Sequence, residues 1–109
     1  MEELTVEIYQ DDHGKQPLVE WLYSLKDIRT QARIENRLRR ISTGNLGDHK
    51  AVGAGVFELR LSFGPGYRVY FGRIGSVVIL LLCGGDKGSQ RRDIERAKTL
   101  LADYLEDSP

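Results

Sequence analysis

The period of the hydrophobic residues changes near the middle of the chain, from helical at residues 17–43 to alternating at residues 56–71. Between residues 17 and 43, apolar side chains recur at steps of three and four, which is typical of helices buried on one side. Between residues 56 and 71, apolar and polar residues alternate, which is typical of strands buried on one face. Helices and strands that are segregated in this way predict an α+β fold.

One strand and two helices are predicted before this change. Residues 4–9 alternate and predict a strand, and Pro17 suits the first turn of a helix, where its missing N–H is not needed. Asp27 is the expected N-cap of a second helix that runs to about Thr43. Residues 44–55 contain four glycines and no consistent period, so we expect a loop there.

Three strands joined by short turns are predicted in the second half. Glycine-containing turns at 64–66 and 75–76 separate strands at 56–63, 67–71 and 77–83, and the last of these is apolar throughout, as in a strand covered on both sides. After a loop at 84–88, Ser89 is the expected cap of a C-terminal helix. The predicted order is β-α-α-β-β-β-α: one domain over residues 1–109, with an antiparallel β-meander, a helix pair packed on one face and a C-terminal helix. The apolar positions expected to face inward from that last helix are Ile94, Ala97, Leu101, Tyr104 and Leu105.

Charge is unevenly distributed, although 16 basic residues balance 16 acidic ones. Residues 29–98 hold 14 of the basic residues and only six acidic ones, so both ends of the chain are acidic. Such a segment can concentrate positive potential on one surface and so favours an anionic partner. The alternative is that these side chains only solvate helix faces. One such face belongs to the second helix and carries Arg29, Arg33, Arg37 and Arg40.

Several classes of protein are disfavoured by what the sequence lacks. A single cysteine, Cys83, cannot form an intramolecular disulfide, and with only His13 and His49 beside it no four-ligand zinc site is expected. The acidic start does not resemble a secretory signal, and the longest apolar run, residues 77–83, is too short to span a bilayer. We therefore expect a cytoplasmic protein with no membrane partner, no metal and no cofactor.

The alternation in the second half brings four polar residues to one face of the meander, namely Glu58, Arg60, Arg68 and Tyr70. Arginine binds phosphate through a planar, bidentate fork, and tyrosine can stack on a base. These residues therefore indicate a phosphate or RNA site. Cross-strand pairing, in which Glu58 only neutralises the two arginines, remains the alternative.

A glycine-rich turn from strand to helix, residues 84–89, is a second candidate anion site. Its backbone N–H groups can converge on an anion beside Lys87, although an ordinary surface lysine is equally compatible with the sequence. Arg91 and Arg92 stand in the first turn of the last helix, where positive charge opposes the helix dipole. This placement favours an anion or an acidic partner in front of them.

Four strings taken together resemble a known family: GVFELR at 55–60, GPGYRVYF at 64–71, LLLCGGDK at 80–87 and QRRDI at 90–94. They resemble the HigB-like, phage-derived branch of the RelE/ParE toxin superfamily, whose members are the killer proteins of bacterial addiction modules. The resemblance covers nearly the whole chain. It implies the toxin of a type II toxin–antitoxin module, a small α+β protein that enters the ribosomal A site and cuts mRNA there.

The resemblance also implies roles for particular residues. Arg68 matches the family arginine that contacts the scissile phosphate, and Lys87 lies where relatives place a second basic or catalytic group. For a metal-independent endoribonuclease we expect Arg60 and Arg68 to stabilise the transition state, Glu58 to act as general base and Lys87 to stabilise or protonate the leaving oxygen. The residues expected to bind RNA are Tyr70, Arg91, Arg92 and Lys50.

A cognate antitoxin, most simply a small helix-turn-helix protein, is the partner that the resemblance implies besides ribosome-bound mRNA. The polar face of the sheet and the basic face of the second helix are the surfaces that it could cover. Two other functions stay open: a ParE-like inhibitor of DNA gyrase that cuts nothing, and an inactive relative that only binds an antitoxin. The first would stop replication before translation, and the second would not arrest growth.

Overall fold

Five strands form one mixed sheet in the computed structural model, which describes residues 4–76 and 78–107. The order across the sheet is β1-β5-β4-β3-β2, in which β1 runs parallel to β5 and every other neighbouring pair is antiparallel. The elements along the chain are β1 (Thr5–Ile8), α1 (Pro17–Ser24), α2 (Ile28–Arg39), β2 (His49–Gly53), β3 (Val56–Arg60), β4 (Arg68–Ile74), β5 (Val78–Gly85) and α3 (Gln90–Asp107). Short 3₁₀ helices follow α2 at Arg40–Thr43 and precede α3 at Lys87–Ser89. The predicted α+β class is confirmed.

Helices cover both faces of this sheet. On one face, Leu59, Val69 and Phe71 pack with Leu18 of α1 and Ile34 of α2 in one buried cluster. On the opposite face, a second cluster joins the sheet to α3. Its members include Val56, Tyr70, Leu80, Leu82, Ala97 and Leu101. Because β5 lies between β1 and β4 with helices on both sides, its residues from Ile79 to Gly85 are buried, as expected, and Val78 is partly buried. Val77 and residues 1–3 and 108–109 lie outside the described residues.

The loop predicted at residues 44–55 is wrong in its second half, where His49–Gly53 forms strand β2. This strand pairs antiparallel with β3 at the edge of the sheet, with a register shift between Ala51 and Gly53. Most of its side chains are exposed, so its residues need no alternating apolar pattern. Pairing with β3, and not the local sequence, determines this strand.

The starts of α1 and α2 are as predicted from the sequence, and the start of α3 differs. Pro17 begins α1, and the Asp27 carboxylate accepts a 2.9 Å hydrogen bond from Arg29 N at the start of α2, both as predicted. The predicted Ser89 cap is wrong, because Asp86 accepts from Gly88 N at 2.8 Å and begins the helical turn three residues earlier. Asp86 and Ser89 instead form a reciprocal capping box.

Two further expectations need correction. Gly84 and Gly85 end strand β5 and do not form a loop, because they pair with Val69 and Arg68 of β4. The side chains of Trp21 and Asp93 lie where a Cβ on these glycines would be, so only glycine fits at both positions. Leu105, predicted to face inward from α3, is 51% exposed, whereas its neighbour Tyr104 packs against the core. Within the described ranges, no helix combines the length and apolar character that a membrane crossing requires.

Candidate functional site

A fully buried carboxylate, Glu58 of β3, is the centre of the polar cluster. Its Oε1 accepts a 3.2 Å hydrogen bond from Arg60 Nε, and its Oε2 accepts a 2.8 Å bond from Gln90 Nε2 of α3. The Tyr70 hydroxyl donates to the same Oε2 at 3.4 Å, and Arg68 Nε lies 3.4 Å from it without hydrogen-bond geometry. The sheet register produces this arrangement, because Glu58 pairs with Tyr70 and Arg60 with Arg68.

The protonation of Glu58 follows from these partners. Burial by itself would raise the pKa of the Glu58 carboxyl, but hydrogen bonds from Gln90 and Arg60 and the charges of Arg68 and Lys50 outweigh it and leave the pKa below its usual value. A buried, ionised carboxylate with both oxygens engaged is poorly placed to take a proton from RNA. The expected role as general base therefore does not fit this geometry, and Glu58 instead positions the arginines.

Arg68 is held between Glu58 and the turn at 64–66. Its Nη1 donates a 2.7 Å hydrogen bond to the Gly66 carbonyl, and 13% of its side chain is exposed. Gly66 has φ of 75°, and a Cβ there would lie 3.1 Å from both Arg68 Nη1 and Lys87 Cβ. Glycine at this position therefore lets the turn approach Lys87, whose backbone N donates to the Pro65 carbonyl at 3.3 Å. The structure thus brings Lys87 to the same end of the sheet as Arg68.

The other predicted RNA-binding residues are divided between two places. Lys50 pairs with Glu58 across the β2–β3 register and is exposed. Arg91 is exposed and precedes Lys98 by seven residues, so both lie on nearly the same side of α3. Because Lys98 lies against Gly53, this is the side of α3 that faces β2. Arg92 instead lines a separate pocket with Trp21, away from Glu58.

Tyr70 was expected to stack on a base, and here the structure requires a correction. Its side chain is fully buried beneath α3, and burial together with the charge of Glu58 raises the pKa of the Tyr70 hydroxyl well above its usual value. A ring in this position supports the cluster and cannot contact RNA. The sequence placed Tyr70 on the right face of the sheet but did not show that α3 covers that face.

Gln90 is the member of the cluster that sequence reasoning missed. Its spacing from the apolar residues of α3 could have revealed it, because Gln90, Ile94, Ala97 and Leu101 follow one another at steps of three and four and so lie on one face of the helix. A polar residue at the first position of a buried stripe is well placed to meet a buried polar partner. Here that partner is Glu58.

Cys83 and the histidines stay outside this cluster. Cys83 is buried, as expected of a core residue, and burial raises the pKa of its thiol to about 12. His49 lies on the edge strand with Nδ1 2.9 Å from the Gly47 carbonyl oxygen, near the rings of Phe57 and Phe71. Over the described part of the chain, no three His, Cys, Asp or Glu side chains are grouped so that they could hold a metal ion.

An uncharacterized protein of Haemophilus influenzae is 50% identical over 80 residues, which is 73% of this chain and 81% of the relative. No family model matches the sequence.

Proposed function

The chain belongs to the same family as the uncharacterized Haemophilus influenzae protein, and we propose that it is a toxin of the RelE/ParE superfamily that cleaves ribosome-bound mRNA. The observation that carries this proposal is the pairing of Arg60 and Arg68 around buried Glu58, with Lys87 beside the same turn. Two guanidinium groups held at one end of a sheet form a site suited to phosphate. The resemblance of four sequence strings to the toxin superfamily supports ribosome-bound mRNA as the substrate.

Preorganisation is what this cluster would contribute to RNA cleavage. Arg60 and Arg68 are opposite one another in the register, and like charges so placed repel unless a counter-charge lies between them. Glu58 supplies that counter-charge, and Gln90 fixes Glu58 from α3. The guanidinium groups are therefore already in place when a phosphate arrives, and little reorganisation is needed as charge develops.

The proposed reaction is internal attack on the RNA backbone. The 2′-oxygen attacks the adjacent phosphorus while its proton passes to solvent, and the bond from phosphorus to the 5′-oxygen breaks. Arg68 and Arg60 stabilise the negative charge of the five-coordinate transition state, and Lys87 gives a proton to the leaving 5′-oxygen. The products are a 2′,3′-cyclic phosphate and a 5′-hydroxyl end.

An antitoxin is the proposed partner in the resting cell, in the cytoplasm. Arg60 keeps 40% of its side chain exposed, and Lys50, Lys87 and Arg91 are exposed close to the same cluster. An acidic segment of an antitoxin would neutralise this surface and cover the phosphate site at the same time. A small helix-turn-helix protein encoded by a neighbouring gene is the expected source of that segment.

Primer extension on translating ribosomes programmed with a defined mRNA tests this function. The purified protein should produce new 5′ ends within the codon in the ribosomal A site, and Lys87→Ala should reduce their yield. Lys26→Ala, which changes an exposed lysine beyond α1, is the matched control and should cut normally. Intact mRNA together with inhibition of DNA gyrase supercoiling would instead establish the non-nucleolytic alternative. Loss of both activities would favour an inactive relative.

A further inference from the structure

A second group of arginines surrounds a separate pocket of about 400 Å³ between α2, the loop before β2 and the end of β3. Its charged lining residues are Arg33, Arg37, Arg40, Arg60 and Asp48, and Phe63 forms part of its apolar wall. Four guanidinium groups thus face one carboxylate. One of the four, Arg60, is already paired with Glu58, so the remaining three still outnumber Asp48.

Two of these arginines are held in place by the surrounding structure. The guanidinium carbon of Arg33 lies 3.9 Å from the centroid of the Phe63 ring, a cation–π contact that fixes the side chain over the pocket wall. Arg37 Nη2 donates a 2.6 Å hydrogen bond to the Leu46 carbonyl. A Cβ at Gly47 would overlap the Arg37 guanidinium, so glycine at 47 permits this close approach.

The pocket has more donors than acceptors. Arg37 Nη1 is buried and has no hydrogen-bond partner among the described residues. Burial, followed by repulsion from Arg40, lowers the pKa of Arg37, and Asp48 only partly opposes this effect. A buried charged donor without an acceptor is costly, so an anion in the pocket would be stabilised by the donor that now lacks a partner.

We propose that this pocket binds a phosphate group. Several guanidinium forks that converge on one space match the oxygens of phosphate better than those of a carboxylate, which offers only two. Phe63 and Leu61 also line the pocket and provide an apolar surface that a ribose or base attached to the phosphate could contact. The volume falls within the range of small-ligand pockets, so the phosphate of a nucleotide unit fits.

Arg60 joins this pocket to the candidate active site, because it lines the pocket while its Nε contacts Glu58. An RNA strand with one phosphate at Arg68 could therefore place another phosphate in the pocket. A free mononucleotide and inorganic phosphate carry the same group and are the other sources that the test distinguishes. Binding here requires no cleavage, and the inference does not depend on the proposed nuclease activity.

Calorimetric titration of the whole protein with three probes tests the site: inorganic phosphate, adenosine 5′-monophosphate and a 2′-O-methyl RNA trinucleotide that cannot be cleaved. Arg40→Gln removes an exposed lining side chain, and we expect it to weaken binding about tenfold or more. Arg33→Gln is a second lining variant with the same expectation. Arg37 is left unchanged because its bond to the Leu46 carbonyl supports the loop.

Arg39→Gln is the matched control, because Arg39 lies on the same helix but lines a different, apolar groove beside Val6 and Leu38. It should change the Kd by no more than about twofold. Tight binding of inorganic phosphate would show that the pocket needs only a free anion as its ligand. Binding of the trinucleotide alone would show that the ligand is RNA. Wild-type protein that binds none of the probes, or equal weakening by Arg39→Gln and Arg40→Gln, would overturn the proposal.

Discussion

Gln90, the first residue of α3, donates a 2.8 Å hydrogen bond to Glu58 of β3, 32 residues earlier in the chain. This bond connects the C-terminal helix to the carboxylate that separates Arg60 from Arg68. The helix that covers one face of the sheet therefore also orders the charged cluster at its end.

The first prediction concerns the pH dependence of stability. The pKa of Glu58 is lower in the folded protein than its usual value of 4.5, so its stabilising contribution is complete above that value and is lost as the pH falls through the folded pKa. Glu58→Gln should therefore lower the free energy of unfolding at pH 7 by about 1–3 kcal/mol. The difference in unfolding free energy between variant and wild type should shrink as the pH falls below 4.5. Urea unfolding at several pH values measures it.

Glu95→Gln is the control for this experiment. Glu95 is 72% exposed and only 3.4 Å from Lys98 in a surface ion pair, so its removal should change stability by less than about 0.5 kcal/mol at either pH. If the free energy of unfolding of Glu58→Gln fell with pH as steeply as that of the wild type, Glu58 would not be the source of the acid sensitivity.

The second prediction tests whether Tyr70 stabilises the folded cluster around Glu58 or contacts RNA. Because the Tyr70 ring is fully buried and its hydroxyl only donates to Glu58 at 3.4 Å, Tyr70→Phe should cost about 0.5–1.5 kcal/mol of stability. Cleavage by the folded variant should change by no more than about twofold. Tyr23→Phe, at a residue 65% exposed, should alter neither quantity. A large loss of RNA affinity in stable Tyr70→Phe would contradict the burial argument.

The third prediction tests the close contact between α1 and β5. A methyl group at Gly84 would overlap the Trp21 ring, so Gly84→Ala should lower the free energy of unfolding by about 1–3 kcal/mol. Replacing Trp21 by Leu creates space at the same place. The double variant should therefore be more stable than the sum of the two single changes predicts, as measured by denaturant unfolding. Strict additivity would mean that the two residues do not meet.

Local signals in the sequence were sufficient for most of the fold. Asp27 as a cap and Pro17 at a helix start depend on contacts within a few residues, and alternation assigned Leu59 and Glu58 to opposite faces correctly. The edge strand His49–Gly53 could not be found in this way, because its pairing partner provides the evidence for it.

For the candidate site, the sequence patterns predicted which residues come together but not which of them are buried. Register and alternation brought Glu58, Arg60 and Arg68 together, but the burial of Tyr70 depends on where α3 packs, a long-range contact. The partners of Glu58 also determine what it does, since hydrogen bonds from Gln90 and Arg60 keep this buried carboxylate ionised and occupy both of its oxygens. The role of a charged residue here followed from its surroundings more than from its identity.

The most direct test of the account is the cleavage rate of Arg68→Lys on translating ribosomes, measured with its melting temperature. Lysine keeps the charge beside Glu58 but loses the fork and the bond to the Gly66 carbonyl, so we predict a cleavage rate lower by about 10²–10³-fold with most of the stability retained. Arg73→Lys, on an exposed position of the same strand, should cleave at the wild-type rate. Wild-type cleavage by Arg68→Lys would contradict the central claim, because a phosphate site built on Arg68 requires its guanidinium.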